Sequence, residues 1–208
     1  MDDTKYKTFW TEDACNNLTA GSDSQPEGWD PVLWIQNILD NNLKFYENQR
    51  PVLDFGCGAG RLSNLFSDQL YLGWDLNPKA VKTAKASYPE KLFVEVDVFE
   101  PIPPGIETIF AYTSLLHLDD SYILDLFSRI PTVRRVIISE IMDRGWRAKA
   151  PKTMPIFNRN PGDYKNMAAP HGFHESGLLA KPYKHYASRA ASFPGLSTDI
   201  TCLILSRG

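Results

Sequence analysis

Cysteine is scarce in this sequence: three in 208 residues, at Cys15, Cys57 and Cys202. The number is odd and the spacing fits neither a metal knuckle nor a disulfide framework, so no bound metal is expected. No apolar run approaches the roughly 20 residues that a membrane-crossing helix needs. No internal repeat or low-complexity tract is visible. The opening stretch, MDDTKYKTFW, is acidic and mixed, unlike a signal or transit peptide, and with few thiols a reducing cytoplasm is the expected location. Basic residues are also sparse at first. Residues 1–133 carry 20 Asp and Glu against 10 Lys and Arg, whereas residues 134–189 carry 4 against 11. The net charge of -3 counts against a broad duplex-binding surface, which needs many phosphate contacts. The basic later segment reads either as a solvated face or as a surface that meets an anionic substrate.

What is present suits one α/β domain with a modest addition: a hydrophobic content of 43% and an aromatic content of 12% supply a core. Residues 1–29 are polar and irregular, with Phe9, Trp10 and Trp29 as isolated aromatics, and read as an arm or lid on a domain spanning 30–208. A helix follows, with Asp30 as cap, Pro31 at its first position and Leu33, Trp34 and Ile38 on its apolar side. Strands then alternate with helices: PVLDF, a helix over GRLSNLFSDQ, YLGWD, a helix over NPKAVKTAKASY, LFVEVDVF, TIFAYTS, a helix over DDSYILDLFSRI, and RRVIISEIM. That alternation implies right-handed crossovers and a parallel sheet. Residues 143–161 hold too many breakers for a regular element. GDYKNMAAPHG reads as a short helix, and GLLAKPYKHYA and STDITCLILSRG as two strands. Their connection is too short for a parallel crossover, so an antiparallel pair ends the chain.

The chemistry turns on Asp54-Phe55-Gly56-Cys57-Gly58-Ala59-Gly60-Arg61. A dinucleotide fingerprint places its third glycine where Arg61 stands. Asp54, before the first glycine, would face a pyrophosphate unfavourably but suits a ligand carrying an amino group. This spacing resembles motif I of the class I S-adenosylmethionine-dependent methyltransferases, and later segments extend the resemblance: Asp75 ends the second strand, VEVDVF ends the third strand with Asp97, and FAYTSLLHLDD and RNPGDYKNMAAPHGFHESG follow.

The resemblance implies a Rossmann-like, doubly wound sheet of seven strands in the order 3-2-1-4-5-7-6, the last strand reversed, and S-adenosylmethionine as cofactor with S-adenosylhomocysteine as product. It implies that Asp54 holds the cofactor's amino group, that Gly56, Gly58 and Gly60 allow close backbone approach, and that amides at a helix start receive its carboxylate. Asp75 and Leu76 would meet the ribose region, Asp97 and Val98 the adenine, and Tyr112 and Thr113 the methionine arm. His117 is a candidate base or a histidine bonded to backbone, and Glu140 either orients substrate or pairs with a nearby arginine. Trp10, Arg159 and Tyr164 fall on the substrate side, with the 143–164 loop; Arg144, Arg147, Lys149 and Lys152 either join Arg159 in an anion-attracting rim or belong to a solvated loop. The expected activity is methyl transfer to oxygen or nitrogen of a small, anionic molecule, with nucleic acid and membrane not expected as partners. An NAD(P)-dependent oxidoreductase and a non-catalytic cofactor-binding module are the competing readings.

Overall fold

The computed structural model describes residues 11, 30–43, 50–97, 100–145, 155–182 and 199–208. The chain divides into two compact units, residues 1–110 and 111–208.

In the first unit, helix α1 spans Pro31–Leu43. Asp30 caps it as expected, its Oδ1 accepting from the amides of Val32 at 2.8 Å and Leu33 at 3.2 Å. The helix buries Trp34, Ile35, Ile38 and Leu39, whereas Leu33 is 55% exposed. Leu33 lies beside the buried stripe, since a pattern of 34, 35, 38 and 39 turns the preceding position outward. Strand β1 (Val52–Phe55) is buried at every position and pairs in parallel with β2 (Tyr71–Asp75) and with β4 (Thr108–Tyr112). A strand covered on both faces is mostly apolar, and Asp54 is the one polar residue of β1. Helix α2 spans Pro78–Ser87, capped by Asn77, whose side chain accepts from Lys79 and Ala80. Strand β3 (Leu92–Glu95) stops short of Asp97.

The helix expected over 60–69 does not form. Two 3-10 turns, Ser63–Leu65 and Asp68–Leu70, stand in its place. Leu62, Leu65 and Phe66 are still buried.

In the second unit, α3 (Asp120–Ser128) is capped by Asp119 and precedes β5 (Arg135–Ile141). Helix α4 (Pro161–Ala168) opens with a capping box between Asn160 and Asp163. It runs into a 3-10 turn closed by left-handed Gly172. Strand β6 (Phe173–Pro182) therefore starts four residues earlier than the GLLAKPYKHYA reading. Strand β7 (Asp199–Arg207) pairs antiparallel with both β5 and β6. The strand order is β3-β2-β1-β4-β5-β7-β6, one mixed seven-stranded sheet.

Phe93 of β3 fixes two glycines. A Cβ built on Gly60 would lie 2.7 Å from its ring, and one built on Gly73 would lie 2.6 Å from it and 2.9 Å from the Tyr71 hydroxyl. The third glycine of the turn is thus held to glycine by packing on the sheet as well as by its φ of +79°. We expect Gly73→Ala to lower stability by about 1–3 kcal/mol, the usual cost of overpacking a core. Denaturant unfolding checks this, and an unchanged midpoint would contradict it.

Candidate active site

The glycine turn is tied to β2 from below. The amides of Gly56 and Cys57 donate to the Trp74 carbonyl at 2.8 and 2.9 Å. Gly56, Gly58 and Gly60 have φ of +80°, +55° and +79°, a left-handed conformation that glycine adopts without steric cost. Asp75 braces the result: its Oδ2 accepts from the Gly58 amide at 2.7 Å and its Oδ1 from the Asn77 amide at 2.8 Å. Burial raises its pKa above the ordinary carboxylate range, against the pull of these amides.

Asp54, 2% exposed, lies between Gly73 of β2 and Phe110 of β4 in the sheet register. Its Oδ2 accepts from the Tyr71 hydroxyl at 2.8 Å. Burial pushes its pKa up to about 7; the Tyr71 bond and Arg61 oppose the rise and the charge of Asp75 adds to it. Two carboxylates, both largely out of water, thus stand at one glycine turn. Such a place repels a diphosphate and attracts a cation. The expected anion-binding helix start is missing, because the segment after the turn is a 3-10 turn of three residues. Leu76 and Asp97 come together on an open groove of about 710 Å³, lined also by Leu72, Trp74, Val94 and Val96.

In the second unit, Tyr112 is buried at the end of β4. Thr113 follows with φ of +52°, a strained conformation for a β-branched residue. Its amide donates to the Ser139 carbonyl at 2.8 Å. His117 Nδ1 lies 2.7 Å from the Pro155 carbonyl oxygen. A carbonyl only accepts, so Nδ1 carries the proton and Nε2 is the basic nitrogen of the neutral ring.

Glu140, Tyr164 and Arg159 depart from expectation. Glu140 is 1% exposed and Tyr164 fully buried. Glu140 Oε1 accepts from the Tyr164 hydroxyl and Oε2 accepts from the Leu116 amide at 3.0 Å. Arg159, 4% exposed, donates from Nε to Asp120 at 2.7 Å and from its terminal nitrogens to the carbonyls of Leu115 and Leu118. This buried network pins β5, the 115–118 turn and α4 to one another. Arg159 and Tyr164, expected to touch substrate, serve the interior, and so does Glu140, expected to orient it. Nor do Arg144 and Arg159 form an open anion-attracting rim, because Arg144 donates to Asp163 through Nε at 3.0 Å and Arg159 is bound to Asp120. Trp10, Val98, Arg147, Lys149 and Lys152 lie outside the described residues, as does nearly all of the 1–29 arm.

Comparison with known proteins finds the same fold. The crystal structure of magnesium protoporphyrin IX methyltransferase (ChlM) from Synechocystis PCC 6803 with bound SAH superposes with a TM-score of 0.70 at 17% identity, covering 100% of both chains. The family model for a methyltransferase domain matches residues 53–133. Those residues match a methyltransferase domain. Among curated proteins, trans-aconitate 2-methyltransferase of Escherichia coli O1:K1 / APEC is 34% identical over 107 residues, 45% of this chain and 42% of that protein. The same enzyme from Escherichia coli O17:K52:H18 is 36% identical over 107 residues, with the same coverage. The matched stretch is therefore less than half the length of these relatives.

In this methyltransferase domain the structure brings Asp54, Gly56, Gly58 and Asp75 together around one turn. The residues that sequence reasoning passed over are Tyr71, Gly73 and Phe93, which support that turn from β2 and β3. A glycine in the middle of the apolar strand YLGWD was the available signal, since it marks a close approach.

The buried Glu140 predicts a pH effect. Burial raises its pKa from an ordinary 4.5 to about 7, so between these values the folded chain binds more protons than the unfolded one. The stability tied to this group is full below pH 4.5 and is lost as pH rises to 7. We expect Glu140→Gln to gain about 1–3 kcal/mol relative to the wild type between pH 4.5 and 7.5. Denaturant unfolding across that range measures the difference, and a constant gap would contradict it.

Proposed function

We propose that the domain transfers a methyl group from S-adenosylmethionine to an oxygen of a small carboxylate-bearing molecule. The observation that carries this reading is the pair of carboxylates at a turn of three left-handed glycines, Asp54 buried and Asp75 half-buried. The donor set fits an ammonium-bearing nucleoside and opposes a pyrophosphate. Asp54 takes the amino group, Gly56 and Gly58 let backbone approach, and Asp75 accepts from the ribose hydroxyls. Leu76 and Asp97, with Val98, take the adenine region, and Tyr112 and Thr113 the methionine arm. The cofactor supplies an electrophilic methyl on a sulfonium, so the protein's part is alignment and exclusion of water.

Two observations support a carboxylate acceptor: the basic character of residues 134–189 and the tricarboxylate named for the relatives. A carboxylate is already deprotonated and needs no base. A hydroxyl or amine acceptor would instead hand its proton to His117 Nε2. Cytoplasmic location fits the buried free thiols of Cys57 and Cys202. The reading as an NAD(P)-dependent oxidoreductase is disfavoured by Arg61 at the third fingerprint position and by the carboxylate of Asp54.

Incubation with deuteromethyl-labelled S-adenosylmethionine and a panel of mono-, di- and tricarboxylates, followed by mass spectrometry, is expected to yield a labelled methyl ester. Cofactor binding with no product on any acceptor would favour the non-catalytic module. Asp75→Ala is expected to weaken S-adenosylhomocysteine binding by about 1–3 kcal/mol, the value of hydrogen bonds to a charged group. Calorimetry measures it, and unchanged affinity would remove Asp75 from the ribose site.

A further inference from the structure

We propose that Tyr71 is a positioning residue for cofactor binding: from β2 its hydroxyl holds one carboxylate oxygen of Asp54 and leaves the other for the ligand's ammonium. This deepens the function proposed above and rests on it. Tyr71 is 3% exposed, and its hydroxyl meets Asp54 Oδ2 at 2.8 Å. Among the described residues no donor reaches Asp54 Oδ1.

The phenol has little freedom. Phe66 stacks on it at 5.8 Å between centroids with planes 22° apart, and Phe93 meets it edge-on at 5.5 Å. Lys91 Nζ stands 5.8 Å from the ring centroid, itself paired with Asp68 at 2.6 Å. The hydroxyl reaches Asp54 over Gly73, where any Cβ would stand 2.9 Å from it. A glycine at 73, a wedged ring at 71 and a carboxylate at 54 therefore form one device.

The ionisable groups around Asp54 are few. Tyr71 and Asp75 act from β2, Cys57 and Arg61 from the glycine turn, and its β4 partner is the uncharged Phe110. Burial keeps the Tyr71 phenol protonated throughout the accessible pH range, so it acts as a fixed donor to the charged carboxylate. Without it, burial and Asp75 act on Asp54 with only Arg61 opposing, and the carboxyl takes up a proton more readily. A protonated Asp54 has no charge to offer an ammonium. Ligand binding must then expel the proton, and Tyr71 sets the pH at which this begins.

The test is calorimetric titration of the full chain with S-adenosylhomocysteine between pH 5.5 and 8.5, in buffers of different ionisation enthalpy. For the wild type, affinity is expected to fall by up to about tenfold per pH unit below its midpoint, with a proton released on binding at pH 6. In Tyr71→Phe the midpoint is expected to move to higher pH, with affinity at pH 7 reduced about threefold to tenfold and recovering by pH 8.5. A merely structural tyrosine would weaken binding equally at every pH. Asp54→Asn, which keeps the side-chain volume, supplies a second arm: its binding is expected to be flat with pH and without proton release. A wild type that binds with a flat profile, or a Tyr71→Phe profile that overlays the wild type, overturns this inference alone. A wild type that binds no S-adenosylhomocysteine at any pH overturns the proposed function, and this inference with it.

Discussion

Taking a carboxylate out of water is costly unless donors meet it, and two such groups flank the glycine turn of this chain, Asp54 buried on β1 and Asp75 half-buried at the end of β2. Asp75 is stabilised by the amides of Gly58 and Asn77, and Asp54 by the phenol of Tyr71. Those three donors dictate much of the local fold. The Gly58 amide can face Asp75 because the turn runs through left-handed residues, and the Tyr71 hydroxyl can face Asp54 because position 73 has no side chain. What remains is an excess of negative charge over the one arginine that acts on Asp54, Arg61, and a cationic ligand would neutralise it.

The second unit contains a chemically similar pair with a different outcome. Glu140 and Tyr164 form a buried carboxylate–phenol contact like that of Asp54 and Tyr71, and burial brings both carboxyls to about 7. Both oxygens of Glu140, however, are met by protein donors, Tyr164 and the Leu116 amide. Glu140 is consumed in fixing α4 and the 115–118 turn, whereas one oxygen of Asp54 keeps capacity for a ligand.

The parallel sheet, its reversed end and the glycine turn were legible from local signals, namely strand–helix alternation, a connection too short to cross over and glycines at fixed spacing, whereas the strand order came only with the family resemblance. The caps at Asp30, Asn77 and Asp119 were local in the same sense. The helix after the turn was misread because the apolar spacing of Leu62, Leu65 and Phe66 fits a 3-10 path as well as an α-helical one. Arg159 and Tyr164 were misassigned because sequence shows a polar side chain and its order in the chain. It does not show whether that side chain points inward. Tyr71 was passed over since a tyrosine opening a strand looks like ordinary β-propensity, and only tertiary contact puts its hydroxyl on Asp54.

The claim beneath all of this is that the turn is built for an ammonium-bearing nucleoside and against a diphosphate. A crystal grown from the full chain with equimolar S-adenosylhomocysteine and NAD tests it most directly. The account predicts electron density for S-adenosylhomocysteine at the turn, with its amino group at Asp54. Density for the dinucleotide there, its pyrophosphate against Gly56 and Gly58, would contradict it.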